Sequence, residues 1–140
     1  MTKRTGFVCV FLVLSLFLTG CMVYAPTEPD LSSADYGKKP SEKDCLKQLK
    51  KFGEEELKYP DSARYRLLND PQKGWVRLRN SSHATFGWIF TAQIDQKVDK
   101  DGERERLEYV MMYRKGSLIP ITYKHTSKYG AALNYPYGFK

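Results

Sequence analysis

The chain is poor in the residues that most often carry catalysis or bind metal ions. It has only two histidines, His83 and His125, and three cysteines, Cys9, Cys21 and Cys45. No His-x3-His pair, Cys-x2-Cys pair or glycine-rich phosphate loop occurs in the sequence. We therefore expect no catalytic residues, no metal site and no cofactor, and we do not expect an enzyme.

An excess of acidic residues is also absent. The chain has 23 lysines and arginines against 16 aspartates and glutamates, which gives a formal net charge of +7. The basic residues are scattered and form no recognisable nucleic-acid-binding module, so we expect no nucleic-acid partner. The positive charge has two interpretations. It either forms a solvated surface that keeps the protein soluble, or it binds an anionic partner such as lipid headgroups, cell-wall polymers or an acidic protein.

Long hydrophobic runs are limited to the N-terminus. The apolar stretch from Phe7 to Leu18 has about a dozen residues, fewer than the ~20 that a membrane-spanning helix requires. Lys3 and Arg4 precede this stretch, and the small residues Thr19 and Gly20 follow it. A basic start, a short apolar core and small residues at its end are typical of an export signal.

The run Leu18-Thr19-Gly20-Cys21 resembles the lipobox of bacterial lipoproteins at each of its positions. This resemblance, which covers only residues 1–21, implies cleavage between Gly20 and Cys21, a diacylglyceryl group on the Cys21 thiol and acylation of the new amine. Two or more acyl chains hold a protein stably at a membrane. The alternative is an ordinary signal peptide, or an uncleaved anchor, with an incidental cysteine.

The residue after the lipobox cysteine is Met22 rather than aspartate. In the lipoprotein family this implies the periplasmic face of the outer membrane in a Gram-negative host. In a Gram-positive host the protein would lie on the outer face of the cell membrane.

Three segments are predicted along the chain. Residues 1–20 are the signal peptide that is removed, residues 21–40 carry the lipidated cysteine and a flexible tether, and residues 41–140 form a single small domain. Cys45 is then the only free thiol in an oxidising compartment. We expect it to be buried on the apolar face of a helix, with intermolecular pairing as the alternative.

The spacing of apolar residues predicts one amphipathic helix from Ser41 to Lys58, with Ser41 as its N-cap. From Gly74 onward the pattern alternates and predicts antiparallel strands, including a hairpin around Asp99–Gly102. Pro120 places the last predicted strand at an edge of the sheet. The predicted fold class is α+β: one N-terminal amphipathic helix packed on a three- to four-stranded antiparallel sheet, followed by an irregular aromatic C-terminal tail.

The predicted function is that of a lipid-anchored envelope protein with a small periplasmic binding or assembly domain, an accessory subunit of an envelope complex. Its membrane contact would be the acyl chains on Cys21, and its partner surface would use tail residues, namely Tyr129, Tyr135, Tyr137 and Phe139.

The alternative is a lipoprotein that binds peptidoglycan or another anionic glycan. It rests on aromatic and basic residues that are interleaved in the predicted strands, namely Trp75, Trp88, Phe90, Tyr109 and Tyr113 with Arg77, Arg79, Arg104, Arg106 and Arg114. A third possibility, a periplasmic enzyme, would depend on His83, His125 or Cys45.

Overall fold

The structure is a computed structural model that describes residues 26–79, 81–125 and 135–140. The predicted signal peptide, Gly20, Cys21 and Tyr129 lie outside the described residues. The described chain contains, in order, α1 (Glu28–Ser33), α2 (Glu42–Glu56), a 3₁₀ turn (Pro60–Ser62), β1 (Arg64–Leu67), β2 (Gln72–Val76), β3 (Thr85–Lys97), β4 (Arg104–Arg114), β5 (Ser117–His125) and β6 (Tyr137–Phe139). Within those ranges, no helix is long and apolar enough to cross a membrane.

The predicted fold class is wrong in describing the helix as N-terminal, in its number of strands and in its irregular tail. The six strands form one antiparallel sheet instead of three or four, and α2 is not N-terminal because α1 precedes it. The two unpredicted strands are β1, with four residues, and β6, with three residues in the tail that we expected to be irregular. Such short segments do not show the alternation, over about four to eight residues, by which a strand is recognised in sequence.

Helix α2 lies within the range predicted for it, and the Ser41 N-cap is confirmed. The Ser41 hydroxyl accepts a hydrogen bond from the Asp44 backbone N–H at 3.2 Å, while the Asp44 carboxylate accepts from the Ser41 backbone N–H at 3.0 Å. This reciprocal capping box satisfies two backbone donors that would otherwise lack partners at the helix start. The helix ends before Leu57, whose N–H donates to the Gly53 carbonyl at 2.9 Å.

Strand β3 is the centre of the sheet. The strand order is β5-β4-β3-β2-β6, and β1 also pairs with β3. The first part of β3 pairs with β2, for example Val76 with Thr85, and its last part pairs with β1, for example Arg64 with Asp95. The predicted β3–β4 hairpin is confirmed, and Pro120 lies on the edge strand β5 as predicted.

One hydrophobic core lies between α2 and the sheet. Cys45 and Leu49 of α2 are fully buried, and so are the side chains of β3 that face them. The buried members of this core are Cys45, Leu49, Phe90, Ala92, Ile94, Leu107, Tyr109 and Met111. Alternation along β3 and β4 therefore places Phe90, Ile94, Leu107, Tyr109 and Met111 on the helix-covered face, as period-two strands require.

A second, smaller core lies on the opposite face of the sheet. Val76, Ile89, Met112 and Ile121 come from four different strands and are each fully buried, and Tyr135 packs against them. The Tyr135 N–H donates to the Ile121 carbonyl of β5 at 3.2 Å. The carbonyl of the next residue, Pro136, accepts a hydrogen bond at 2.9 Å from the backbone N–H of Arg77, the residue that follows β2.

These two hydrogen bonds show that the sheet is strongly curled. In a flat sheet β5 and β2 would lie about 14 Å apart, since three strand spacings of about 4.8 Å separate them. Two adjacent residues, Tyr135 and Pro136, nevertheless bond to both strands. The two edges of the sheet therefore approach each other at Tyr135, and the second core is enclosed by this curl.

The segment before α2 also packs on the sheet. Tyr36 is 6% exposed, and its ring meets Phe86 edge-to-face with centroids 5.7 Å apart. The Trp88 indole Nε1–H donates to the Gly37 carbonyl at 3.1 Å. Packed structure therefore begins within residues 21–40, the segment expected to carry the tether.

Candidate functional site

The predicted tail residues separate into two groups. Tyr137 and Phe139 are 37% and 49% exposed on β6, with ring centroids 6.1 Å apart in an edge-to-face arrangement. Tyr135 is instead half-buried against the second core, because its backbone joins the two edges of the sheet. Two of the predicted residues, Tyr137 and Phe139, therefore lie together on the surface, whereas Tyr135 packs against the second core.

The side chains considered for catalysis do not form a reactive group. Cys45 is fully buried, as predicted, and burial, reinforced by the carboxylates of Asp44 and Glu42, raises the pKa of its thiol to about 11. A thiol with so high a pKa is neutral near pH 7 and a weak nucleophile. His83 is exposed, whereas the His125 side chain lies outside the described residues.

The side chains that could bind a metal ion are also dispersed. Across residues 26–79, 81–125 and 135–140, no group of three or more histidine, cysteine, aspartate or glutamate side chains could hold a metal ion. His83 borders an open groove of about 310 Å³ with Asp30, Asp35 and Phe86.

Two lysines and two aromatic rings form a lysine–aromatic cluster, which consists of Tyr36, Lys39, Lys73 and Trp88. The Lys39 ammonium lies 5.7 Å from the Trp88 ring centroid, and the Lys73 ammonium lies 5.8 Å from the same centroid and 5.3 Å from that of Tyr36. These distances fall within the range of cation–π attraction. Lys73 and Trp88 are cross-strand partners on β2 and β3, which fixes their proximity.

The two aromatic rings of this cluster are fixed by contacts with the rest of the fold. The hydrogen bond from Trp88 to Gly37 orients the indole, and burial raises the pKa of the Tyr36 hydroxyl, so this phenol stays neutral. A flat ring with neighbouring ammonium groups can stack on a sugar and attract its carboxylates or phosphates. Neither lysine nor Tyr36 was among the residues predicted for a site.

A second basic feature, the arginine groove, lies on the sheet face opposite α2. It has a volume of about 240 Å³ and is lined by Arg64, Tyr65, Arg66, Gln93, Asp95 and Arg106. Arg64, Asp95 and Arg106 lie directly opposite one another on β1, β3 and β4. The groove therefore forms where the four-residue strand β1 meets the central hairpin.

Hydrogen bonds inside the arginine groove fix several of its side chains. The Arg66 guanidinium donates through both Nε, at 2.9 Å, and Nη2 to the side-chain oxygen of Gln93, which is 5% exposed. Arg104 ion-pairs with Asp95 at 2.5 Å and also donates to the backbone carbonyls of Asp95 and Ser62. The one carboxylate that lines the groove is thus paired with an arginine from β4.

The predicted interleaving of aromatics and arginines is not observed as one surface. Trp88 and Tyr113 are cross-strand partners on the helix side of the sheet, whereas Arg106 alternates onto the other side with Asp95. Trp75, Phe90 and Tyr109 are buried. The basic partners of Trp88 are lysines instead.

Arg64 and Arg66 were missed because β1 was not predicted. A local signal exists in the sequence, since Arg64-Tyr65-Arg66 and Arg104-Glu105-Arg106 both place two arginines on one side of a strand. That signal alone is insufficient, because Arg77-Leu78-Arg79 has the same spacing but lies beyond the end of β2.

Comparisons of the chain with protein-family models, with curated proteins and with solved structures gave no match.

Proposed function

We propose that this chain is a lipid-anchored protein of the bacterial envelope whose domain binds a protein partner, as an accessory subunit of an envelope complex. The anchor is the pair of features at the N-terminus, the export signal and the lipobox ending at Cys21. The observation that carries the partner-binding role is the exposed aromatic pair Tyr137 and Phe139 on strand β6.

The aromatic pair has the properties of interface anchors. Most large apolar side chains of the described chain are buried or half-buried, and its exposed ones are Leu68, Tyr137 and Phe139. Tyr137 and Phe139 are separated by one residue, so they lie on the same side of β6, and their rings contact each other. Aromatic side chains of this kind dominate the binding energy of many protein interfaces, because each buries a large area at low entropic cost.

The anchor is tested by replacing Cys21 with serine in the full chain. We expect the wild-type protein to incorporate labelled palmitate and to fractionate with membranes, and C21S to lose palmitate incorporation while its domain remains folded. C9S is the matched control, because Cys9 lies in the segment that is removed. Palmitate incorporation into C21S would contradict the proposed anchor.

The partner surface is tested by site-specific photo-crosslinking in cells. A photoreactive residue at position 139 is expected to give a discrete crosslinked product in the envelope fraction, and one at position 68 is expected to give none. The double variant Y137A/F139A, with L68A as control, should reduce recovery of that same crosslinked partner by at least about tenfold. Undiminished recovery would overturn the role of β6.

A second candidate function, binding of an anionic glycan, is favoured by the lysine–aromatic cluster. It predicts that purified sacculi retain the protein and that added salt weakens this binding, since exposed charges are screened. K39Q/K73Q should bind less than the wild type, whereas K97Q, which removes an exposed lysine on another part of the sheet, should not. Equal retention of all three proteins would exclude the cluster as the glycan site.

A further inference from the structure

We propose that the arginine groove is a binding site for a phosphate group. Three arginines, Arg64, Arg66 and Arg106, line the groove together with Asp95, and a fourth, Arg104, ion-pairs with the Asp95 carboxylate. Their summed formal charge is +3, and it remains +2 when Glu108, the residue opposite Gln93 on β4, is included. The chain therefore holds concentrated positive charge in a concave site, which favours the binding of an anion.

The partners that hold Arg104 and Arg66 differ in charge. Asp95 forms its ion pair with Arg104, which also contacts two backbone carbonyls and is thereby held at the side of the groove. Arg66 is held by Gln93, an uncharged amide that fixes the guanidinium without neutralising it. A fixed arginine loses less conformational entropy on binding than a mobile one.

The geometry favours phosphate over a bulky or apolar ligand. A guanidinium is planar and offers paired N–H donors that match two oxygens of a phosphate group. Arg64 of β1 lies directly opposite Asp95 of β3 and lines the groove together with Arg66, so two arginines of one strand border the same space. The groove of about 240 Å³ is lined mainly by polar side chains and has room for such a group with water.

This site is separate from the surface proposed for protein binding. The arginine groove lies at the β1 end of β3, whereas β6 pairs with β2 at the other end. The inference therefore does not depend on Cys21 lipidation or on the aromatic pair. Y137A/F139A should retain phosphate binding even if the partner is lost.

The experiment uses the full mature protein in neutral detergent, labelled with ¹⁵N, with inorganic phosphate added at constant ionic strength. We expect saturable shifts of the backbone amides of Arg64, Arg66, Gln93 and Arg106. R64Q should weaken the fitted affinity about tenfold, as loss of a charge-assisted hydrogen bond implies, and R66Q should do the same. R79Q removes equal charge outside the groove and should leave the affinity unchanged.

Two outcomes would overturn the proposal. One is the absence of saturable shifts at these amides, and the other is an equal response in R79Q and R64Q. Arg64 is exposed and its replacement leaves the Arg66–Gln93 contact in place, so preserved amide dispersion in R64Q separates lost binding from lost folding.

The source of the phosphate is distinguished by a second arm without free phosphate. Micelles doped with phosphatidylglycerol are compared with micelles doped with neutral phosphatidylcholine. Shifts at the groove amides with phosphatidylglycerol alone would assign the site to a lipid headgroup, and shifts only with inorganic phosphate would assign it to a soluble phosphate. Shifts with neither would overturn the proposal.

Discussion

At the residue scale, burial determines the chemistry of Cys45. The side chain is fully enclosed by α2 and the sheet, and desolvation raises the pKa of its thiol from 9.0 to about 11. We expect iodoacetamide to leave Cys45 unmodified at pH 8 in the folded protein and to modify it fully in denaturant, as measured by mass spectrometry. Rapid labelling of the native protein would contradict the buried position.

The same shift makes a contribution to stability that depends on pH. Because the folded-state pKa is raised, this contribution is complete below pH 9, the ordinary pKa, and is lost as the pH rises toward 11. In the lipidated protein, denaturing alkylation should modify one cysteine only, since the Cys21 sulfur would carry the lipid.

Gly53 is required by the close approach of Tyr65 to helix α2. A Cβ atom added at Gly53 would overlap the Tyr65 hydroxyl and lie 2.8 Å from the ring carbon that carries it. Although alanine favours a helix by about 1 kcal/mol over glycine, we expect G53A to destabilise the protein by about 1–3 kcal/mol through overpacking. Urea unfolding followed by circular dichroism measures the difference.

Tyr65 provides the control for this prediction. Its buried hydroxyl has no hydrogen-bond partner in the part of the chain that the structure describes, so Y65F should be neutral or stabilising. In the Y65F background, G53A should cost less than it does in the wild type. An unchanged cost would show that the hydroxyl is not the obstacle.

At the element scale, the start of α2 depends on the Ser41–Asp44 capping box. The Ser41 hydroxyl and backbone lower the pKa of the Asp44 carboxyl through hydrogen bonds. S41A should destabilise the protein by about 1 kcal/mol, because one helix donor loses its partner. S62A is an informative comparison, since Ser62 caps no α-helix, although its hydroxyl accepts from the Lys97 backbone N–H.

The pH dependence of this cap follows from the direction of the Asp44 shift. A lowered folded-state pKa gives stability that is present above pH 3.8, the ordinary value, and is lost as the pH falls below it. The difference in unfolding free energy between wild type and D44N should therefore shrink in acid. A difference that is constant from pH 7 to pH 3 would contradict the role of the charged form.

The elements differ in how much of them the sequence can predict. Helix α2 and the β3–β4 hairpin are long, and each contains its own periodicity together with a cap or an Asp-Gly turn. Strands β1 and β6 have four and three residues, and their conformation depends on pairing with β3 and β2. Those pairings join distant parts of the chain, so no local pattern specifies them.

At the scale of the whole molecule, the last residues close the curled sheet. Tyr135 bonds to β5, and Tyr137–Phe139 pairs with β2. Deleting residues 135–140 removes these contacts and uncovers Val76 and Ile121, each of which is fully buried. We expect a melting temperature lower by about 10 °C or more and a less cooperative transition, since burial of two such side chains contributes about 3–6 kcal/mol.

A shorter deletion distinguishes the hydrogen bonds of Tyr135 and Pro136, which join the edges of the sheet, from the contacts of the exposed residue Phe139. Removing only Phe139 and Lys140 retains Tyr135 and Pro136, so the melting temperature should fall much less. Calorimetry on both truncated proteins measures the difference. Equal stability of the two would contradict closure of the sheet at Tyr135.

Local patterns along the chain specify the capped amphipathic helix, the central hairpin, the edge position of Pro120 and the burial of Cys45. The lipobox is equally local, and lipidation of Cys21 stays a prediction. Which side chains share a surface depends instead on contacts between residues that are distant in the sequence. The curl of the sheet partly buries Tyr135 and leaves Tyr137 and Phe139 exposed. This curl depends on contacts between residues that are far apart in the sequence. The pairing of β1 with β3 likewise assembled the arginine groove from residues about 30–40 positions apart.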